Sequence, residues 1–232
     1  MTEFTLDKPE DIHKLFKRYR KSSSYKFRGH SNLNWKLIPK AGRSQYSKVR
    51  DTEVFRNWKR RSLAYLTNLN LSDWDYLAIA QHTGLPTRLL DWTHNPLVAA
   101  FFAANENNTL DGIVYAVKVT AFITNDFKTP FEMPANKIAF YQPSASSQRV
   151  ASQLGYFSLH NKPSLELNED TFITNSFERI IIPKEIKKEL VFHLNHYGVN
   201  YLSLFPDLEG LSKHLCWFSE NYEYWDGTTE DK

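Results

Sequence analysis

Six side chains of types that do chemistry stand at points where a fold can gather them. They are Arg28 in Phe27-Arg28-Gly29, then His82, Arg88, Trp92 and Thr93 between Gln81 and Ala104, and Glu178 at the head of a β-branched run. An arginine fixed on a strand matches phosphate oxygens bidentately, and a strand holds it better than a loop does. A threonine hydroxyl adds a neutral hydrogen bond. A histidine orients a ligand or exchanges a proton near neutral pH. A carboxylate beside a sugar stabilises the positive charge that builds up when a leaving group departs. Each residue also has an ordinary use: Arg28 in a strand-edge ion pair, Arg88 and Asp91 paired across a turn, Thr93 bonded to local backbone, Glu178 at an exposed strand end, His82 in a buried structural hydrogen bond, and Trp92 in the core or stacked on a planar ring.

The elements that position these groups follow from pattern. Gln81 to Thr93 reads as a polar, turn-rich loop punctuated by Gly84 and Pro86. Asn95-Pro96 is an N-cap followed by a first-turn proline, and Leu97 to Ala103 is apolar on every side, so it predicts a helix buried nearly all round. Residues 8–21, 51–66 and 72–81 read as further helices, the last opened by Ser72 with Asp75 in capping-box style. Strands are expected at Tyr25 to Gly29, at Gly112 to Thr120, in short form at Tyr156 to Leu159, and at Ser176 to Pro183. Residues 121–145 read as a long loop and Gln148 to Leu154 as a helical turn. Lys184 to Tyr197 predicts a helix stopped by Gly198, Tyr201 to Phe205 a last strand, Leu208 to Phe218 a last helix, and the acidic tail is expected to fray.

Composition sets the limits. The 232 residues are 41% hydrophobic and 24% charged, with no repeat, linker or composition break, so one domain over 1–232 is expected. Net charge is +3, with basic residues weighted to the first third, where they suit either a phosphate polymer or a solvated helix face. A single cysteine, Cys216, excludes an intrachain disulfide and any multi-cysteine zinc site. No apolar run has the length of a membrane span and the first twenty residues are charged throughout, so neither a signal peptide nor an anchor is expected and a cytoplasmic setting is. His193 and His196 stand three apart with no third ligand in view, and no metal site is expected. Phosphate-loop, dinucleotide-glycine and nucleophile-elbow motifs are absent.

Phe27-Arg28-Gly29, Leu37-Ile38-Pro39 with Arg43, Gln81-His82, Gly84 to Thr93, Asn95-Pro96, and Leu204 to Leu208 with Gly210-Leu211 together resemble the FRG domain family over about residues 25–215. A more distant likeness is to ADP-ribosyltransferases of the Arg–Ser–Glu type. It rests on an Arg-Gly strand, a hydroxyl motif before an Ala/Phe-rich helix, a strand, and an acidic residue opening a strand that ends in proline.

That second resemblance implies an α+β fold with an ADP-ribosyltransferase-like split, mainly antiparallel sheet flanked by helices. It implies NAD as the substrate, with Arg28, Thr93 and Glu178 as catalytic residues; with the residues of the central motif beside them, Arg28, Gly29, His82, Arg88, Trp92 and Thr93 are the expected NAD-binding set. The middle motif is Asp91-Trp92-Thr93 and not Ser-Thr-Ser, and Ser176 stands where many transferases carry Glu or Gln. The second departure implies an acceptor other than a protein arginine. An intracellular bacterial toxin of a toxin–antitoxin or phage-defence system, acting on RNA or DNA and restrained by an antitoxin protein, is the setting the likeness implies. The competing reading is a non-catalytic nucleic-acid-binding or ligand-sensing module in which arginines contact phosphates and no NAD binds.

Overall fold

The computed structural model describes residues 2–66, 70–120, 122, 128–132, 134, 137–143, 155–169 and 177–221. Seven strands of the described residues form one open, mostly antiparallel sheet. They are β1 (Thr2–Thr5), β2 (Tyr25–His30), β3 (Leu89–Thr93), β4 (Gly112–Lys118), β5 (Ile138–Tyr141), β6 (Gly155–His160) and β7 (Phe177–Ile182), in the order β1-β7-β4-β2-β3-β6-β5. Among these strands only β1 and β7 pair in parallel. The α-helices of the described residues are α1 (Ile12–Tyr19), α2 (Asp51–Ser62), α3 (Asp73–His82), α4 (Pro96–Ala104), α5 (Lys184–His196), α6 (Tyr201–Leu204) and α7 (Leu208–Asn221).

The sheet is joined unevenly. β2 pairs with β4 over its whole length, whereas β2 and β3 share a single register pair, Phe27 with Thr93. Beyond that pair the two strands part. One face of the β2, β4 and β7 half carries a core with α1, α4 and α5, built on Phe27, Val114, Ala116 and Ile180. The β3, β5 and β6 half packs Leu89, Phe157 and Leu159 against α2 and α3. A third core, with Trp92, Tyr115 and Phe177, lies on the opposite face.

Helix α4 lies hard on the sheet because two strand residues have no side chain. A Cβ at Gly29 would stand 1.9 Å from the Ala99 carbonyl oxygen, and one at Gly112 would stand 2.1 Å from that of Ala103. Both positions therefore exclude any larger residue. The helix is buried except at Pro96 and Phe102, as its apolar run predicts, and Asn95 caps it by accepting from the Leu97 N–H at 3.0 Å. The capping box of α3 also forms, with Ser72 Oγ accepting from the Asp75 N–H and Asp75 accepting from that of Ser72.

Three expectations need correction. Leu89–Thr93 is a strand and not a loop, because it ladders with β6 along its length and sends Leu90 and Trp92 into a core. Residues 201–204 are helical, because Asn200 and Ser203 form a reciprocal cap at 3.0 and 3.1 Å that turns the chain. Residues 121–145 were expected to be loop, yet 138–141 form β5 at the sheet edge. Strand β1 was not expected from sequence. Residues 148–154, Ser176 and the tail beyond Asn221 lie outside the described residues.

Candidate functional site

Where β2 and β3 part, a cleft of about 950 Å³ opens. That is within the size of small-molecule and cofactor sites, roughly 300–1,000 Å³. Its floor comes from β2, β3 and α4, and its rim from the segment after β2 and the end of α3.

Arg28 sits in the parting. Its Nη1 donates to the Asp91 carbonyl oxygen at 2.8 Å, a main-chain acceptor at the point where strand pairing has stopped. The same nitrogen is 3.7 Å from the Asp91 carboxylate, and Nε donates to His30 Nε2 at 2.9 Å. Burial holds the Arg28 pKa below its ordinary value, Asp91 opposes that shift, and the neighbouring Arg43 adds to it. Two guanidinium groups of like charge therefore share the cleft, with Arg43 on its exposed rim.

His30 is 5% exposed, and burial pushes its pKa down to about 3, with Arg28 adding to the shift. The ring is therefore neutral near pH 7. Since Nε2 accepts from Arg28, the ring proton lies on Nδ1, which makes no hydrogen bond among the described residues although the Trp35 main chain is close enough to oppose part of the pKa shift. Trp35 packs edge-on to His30 at 6.0 Å and keeps 48% of its surface exposed, so it offers the cleft an open aromatic face.

Asp91, at the middle of β3, has a carboxylate more than half exposed. Thr87 Oγ1 accepts from the Leu89 N–H and so gives its own proton to Gln81 Oε1. That turns the Gln81 amide nitrogen toward Asp91 Oδ2, which it meets at 2.9 Å.

The residues expected from sequence divide between the cleft and elsewhere. Arg28, Gly29, His82, Trp92 and Thr93 all line the cleft. Thr93 is buried and its oxygen accepts from the Asn95 N–H at 3.1 Å, so it fixes the turn into α4 as well as facing the cleft. Gly29 is explained by the approach of α4. Trp92 is 3% exposed, and its indole N–H donates to Ser158, which continues to His160 and the Leu165 carbonyl. That saturated network holds Trp92 as a wall, and stacking on a ligand is not its use.

Arg88 is not at the cleft. It is 4% exposed and holds Asp51 with a bidentate pair at 2.7 and 3.0 Å, donates to Asn161 at 3.0 Å, and lies over the Phe131 ring at 4.6 Å. The Arg88–Asp91 pair considered from sequence is thus replaced by Arg88–Asp51 and Arg28–Asp91.

Glu178 is not at the cleft either. Thr93, Phe27, Ala116 and Glu178 stand in one row across β3, β2, β4 and β7, so Glu178 lies three strand spacings from Thr93, roughly 14 Å. Arg28 is in register with Tyr115 and Arg179, and strand alternation sends it to the other face from Glu178. The Glu178 carboxylate instead accepts from Arg18 Nε and the Tyr19 hydroxyl, each at 2.7 Å, and from the Tyr25 hydroxyl at 3.5 Å. Burial alone would raise its pKa, but these hydrogen bonds outweigh burial and hold it below the ordinary value. Glu178 ties α1 to the sheet.

Sequence reasoning missed His30 and Trp35 and gave Asp91 only a structural part. The alternation Lys26, Arg28, His30 held the signal for the histidine.

Fold and site together define an α+β domain with a basic cleft at a parting in its sheet. Residues 23–112 match the family model of the FRG domain, a segment that begins just before β2 and ends at the first residue of β4. It contains Arg28, His30, Trp35, Arg43 and Asp91, and it supports the FRG family for this part of the chain. No curated protein and no solved structure matches the chain. No helix of the described residues is long and apolar enough to cross a membrane.

Proposed function

We propose that the cleft binds NAD and that the protein transfers ADP-ribose from it to an acceptor. The observation that carries this reading is Arg28, held by Asp91 and His30 in the parting of β2 and β3 with Arg43 beside it. Two arginines in one cleft suit a diphosphate, which takes charge-assisted hydrogen bonds from both. The exposed Trp35 face suits a planar base. A strand arginine, a sheet joined at Phe27–Thr93 alone, and a hydroxyl at that join agree with the split sheet of ADP-ribosyltransferases. The acceptor, RNA or DNA, and the setting, a toxin with its antitoxin or a phage-defence protein, rest on the resemblance alone.

A second reading, a ligand-sensing module without turnover, is favoured by one observation: the expected catalytic Glu178 is held outside the cleft. Incubating the protein with NAD labelled in its adenylate phosphate, together with separate RNA, DNA and protein fractions, separates the two. Transfer predicts label on one fraction. A sensor predicts bound NAD, or a bound nucleotide of another kind, with no labelled acceptor.

A further inference from the structure

We infer that Asp91, and not Glu178, is the carboxylate that faces the reacting sugar; this rests on the transfer reaction proposed above. Asp91 lines the cleft on the same strand as Thr93 and beside Arg28, and its side chain is 52% exposed. Glu178 lines no part of the cleft. Glu106, the other acidic residue lining the cleft among the described residues, lies just past the end of α4, away from the β2–β3 parting.

The Asp91 carboxylate is built into place. The buried Thr87 fixes Gln81, Gln81 donates to Oδ2 at 2.9 Å, and Arg28 Nη1 stands 3.7 Å from the same oxygen. Both described contacts of the carboxylate fall on Oδ2. Among the described residues Oδ1 has no protein partner and is left to the cleft. An anchored carboxylate oxygen beside a diphosphate-binding arginine is where a ribose joined to that diphosphate would lie. Pre-set charge of this kind stabilises a transition state without reorganising during the reaction.

In the transfer step the bond between the nicotinamide nitrogen and ribose C1 breaks, and both its electrons go to the nitrogen, which loses its positive charge. Positive charge forms on the sugar ring against Asp91. The acceptor's oxygen or nitrogen, or that of water, forms the new bond to C1, and its proton passes to the Asp91 carboxylate and then to solvent. The products are nicotinamide, the ADP-ribosylated acceptor and one proton.

The test compares wild type, Asp91→Asn and Glu178→Gln for nicotinamide release from NAD, for NAD affinity by calorimetry and for melting temperature. Release is assayed in the cell fraction that takes up label and well below every melting transition. Asp91→Asn is expected to lose release by about a hundredfold or more while binding NAD within a few-fold of wild type, since the charge it stabilises is absent from the ground state. Glu178→Gln is expected to keep release within a few-fold. Asp91→Ser makes the same comparison if the Asn variant lacks a native melting transition. Full release by the Asp91 variants beside an active wild type overturns this assignment and leaves the transfer reading standing, as does loss of release in Glu178→Gln alone. A wild type that releases no nicotinamide with any fraction overturns the transfer reading and the assignment with it.

Discussion

Arg28 donates to the main-chain oxygen of Asp91 at 2.8 Å, at the point where β2 and β3 cease to pair. A side chain thus meets an acceptor that a neighbouring strand would otherwise take, and the strands stay apart by the width of the cleft. The same contact aims the guanidinium across the opening. Replacing Arg28 by Ala is expected to weaken NAD binding tenfold or more, because hydrogen bonds to a charged group contribute about 1.5–3 kcal/mol. Calorimetry reads this directly. Equal affinity in both proteins removes Arg28 from the site.

Two other buried cations should behave in the opposite way. Lys187 is fully buried, and its Nζ donates among the carbonyls of Ser31, Glu106, Asn107 and Leu110 at 2.7 to 3.1 Å. Lys187→Met leaves those oxygens without their donor, and Arg88→Met leaves Asp51 charged and unpaired. Each variant is expected to lose about 3 kcal/mol or more in urea unfolding, with NAD affinity unchanged at a temperature where it is folded. A loss of affinity without loss of stability would move either residue into the site.

Acid sensitivity follows from two histidines. Burial lowers the pKa of His30 to about 3 and that of His160 to about 4, both below the ordinary 6.5. Below about pH 6.5 the unfolded chain takes up protons on both that the folded chain refuses. Stability is therefore full above that pH and falls toward pH 4, by about 1.4 kcal/mol per pH unit for each histidine. Glu178, held below its ordinary pKa of 4.5, adds stability above that value that is lost as pH falls further. Urea midpoints measured from pH 7 to 4 should show this slope, and His160→Gln should reduce it by about half. A flat profile contradicts the burial of these rings.

An RNA or DNA acceptor predicts steep salt dependence. On α2, Arg56, Arg60 and Arg61 are exposed, and the helix start is tied to β3 through Asp51 and Arg88. Affinity for a short duplex should fall with salt. Removing Arg56 and Arg61 together should lower the slope by about 0.9 for each phosphate that is no longer neutralised. Absence of binding at low salt removes these residues as an acceptor surface.

Much of the fold could be read locally. The β4 run Ile113 to Val117, the Asn95-Pro96 start of α4 and the Ser72 cap of α3 each carry their own signal, and the structure contains all three. Strand β3 did not, because Leu89-Leu90-Asp91-Trp92-Thr93 has a charge at its centre and becomes a strand only against β6, far along the chain. The cleft was half legible for the same reason. Arg28 and Thr93 stand in motifs, whereas which arginine meets Asp91 depends on how β2 lies beside β3. Glu178 carries its sequence signal in its place at a strand start. Its separation from Arg28 appears only in the register of three paired strands.

Occupation of the cleft between β2 and β3 by NAD is read from the tryptophan indole N–H signals in a nitrogen-15 NMR titration. Trp35 lies at the cleft and is half exposed, while the half-buried Trp58 of α2 and the buried Trp74 of α3 pack with the β3, β5 and β6 half and do not line it. NAD in the cleft gives a saturable shift of the Trp35 signal as NAD is added, little change at Trp58 and Trp74, and loss of the Trp35 shift in Arg28→Ala. A Trp35 signal that stays still at millimolar NAD, or shifts confined to Trp58 and Trp74, would contradict NAD in the cleft.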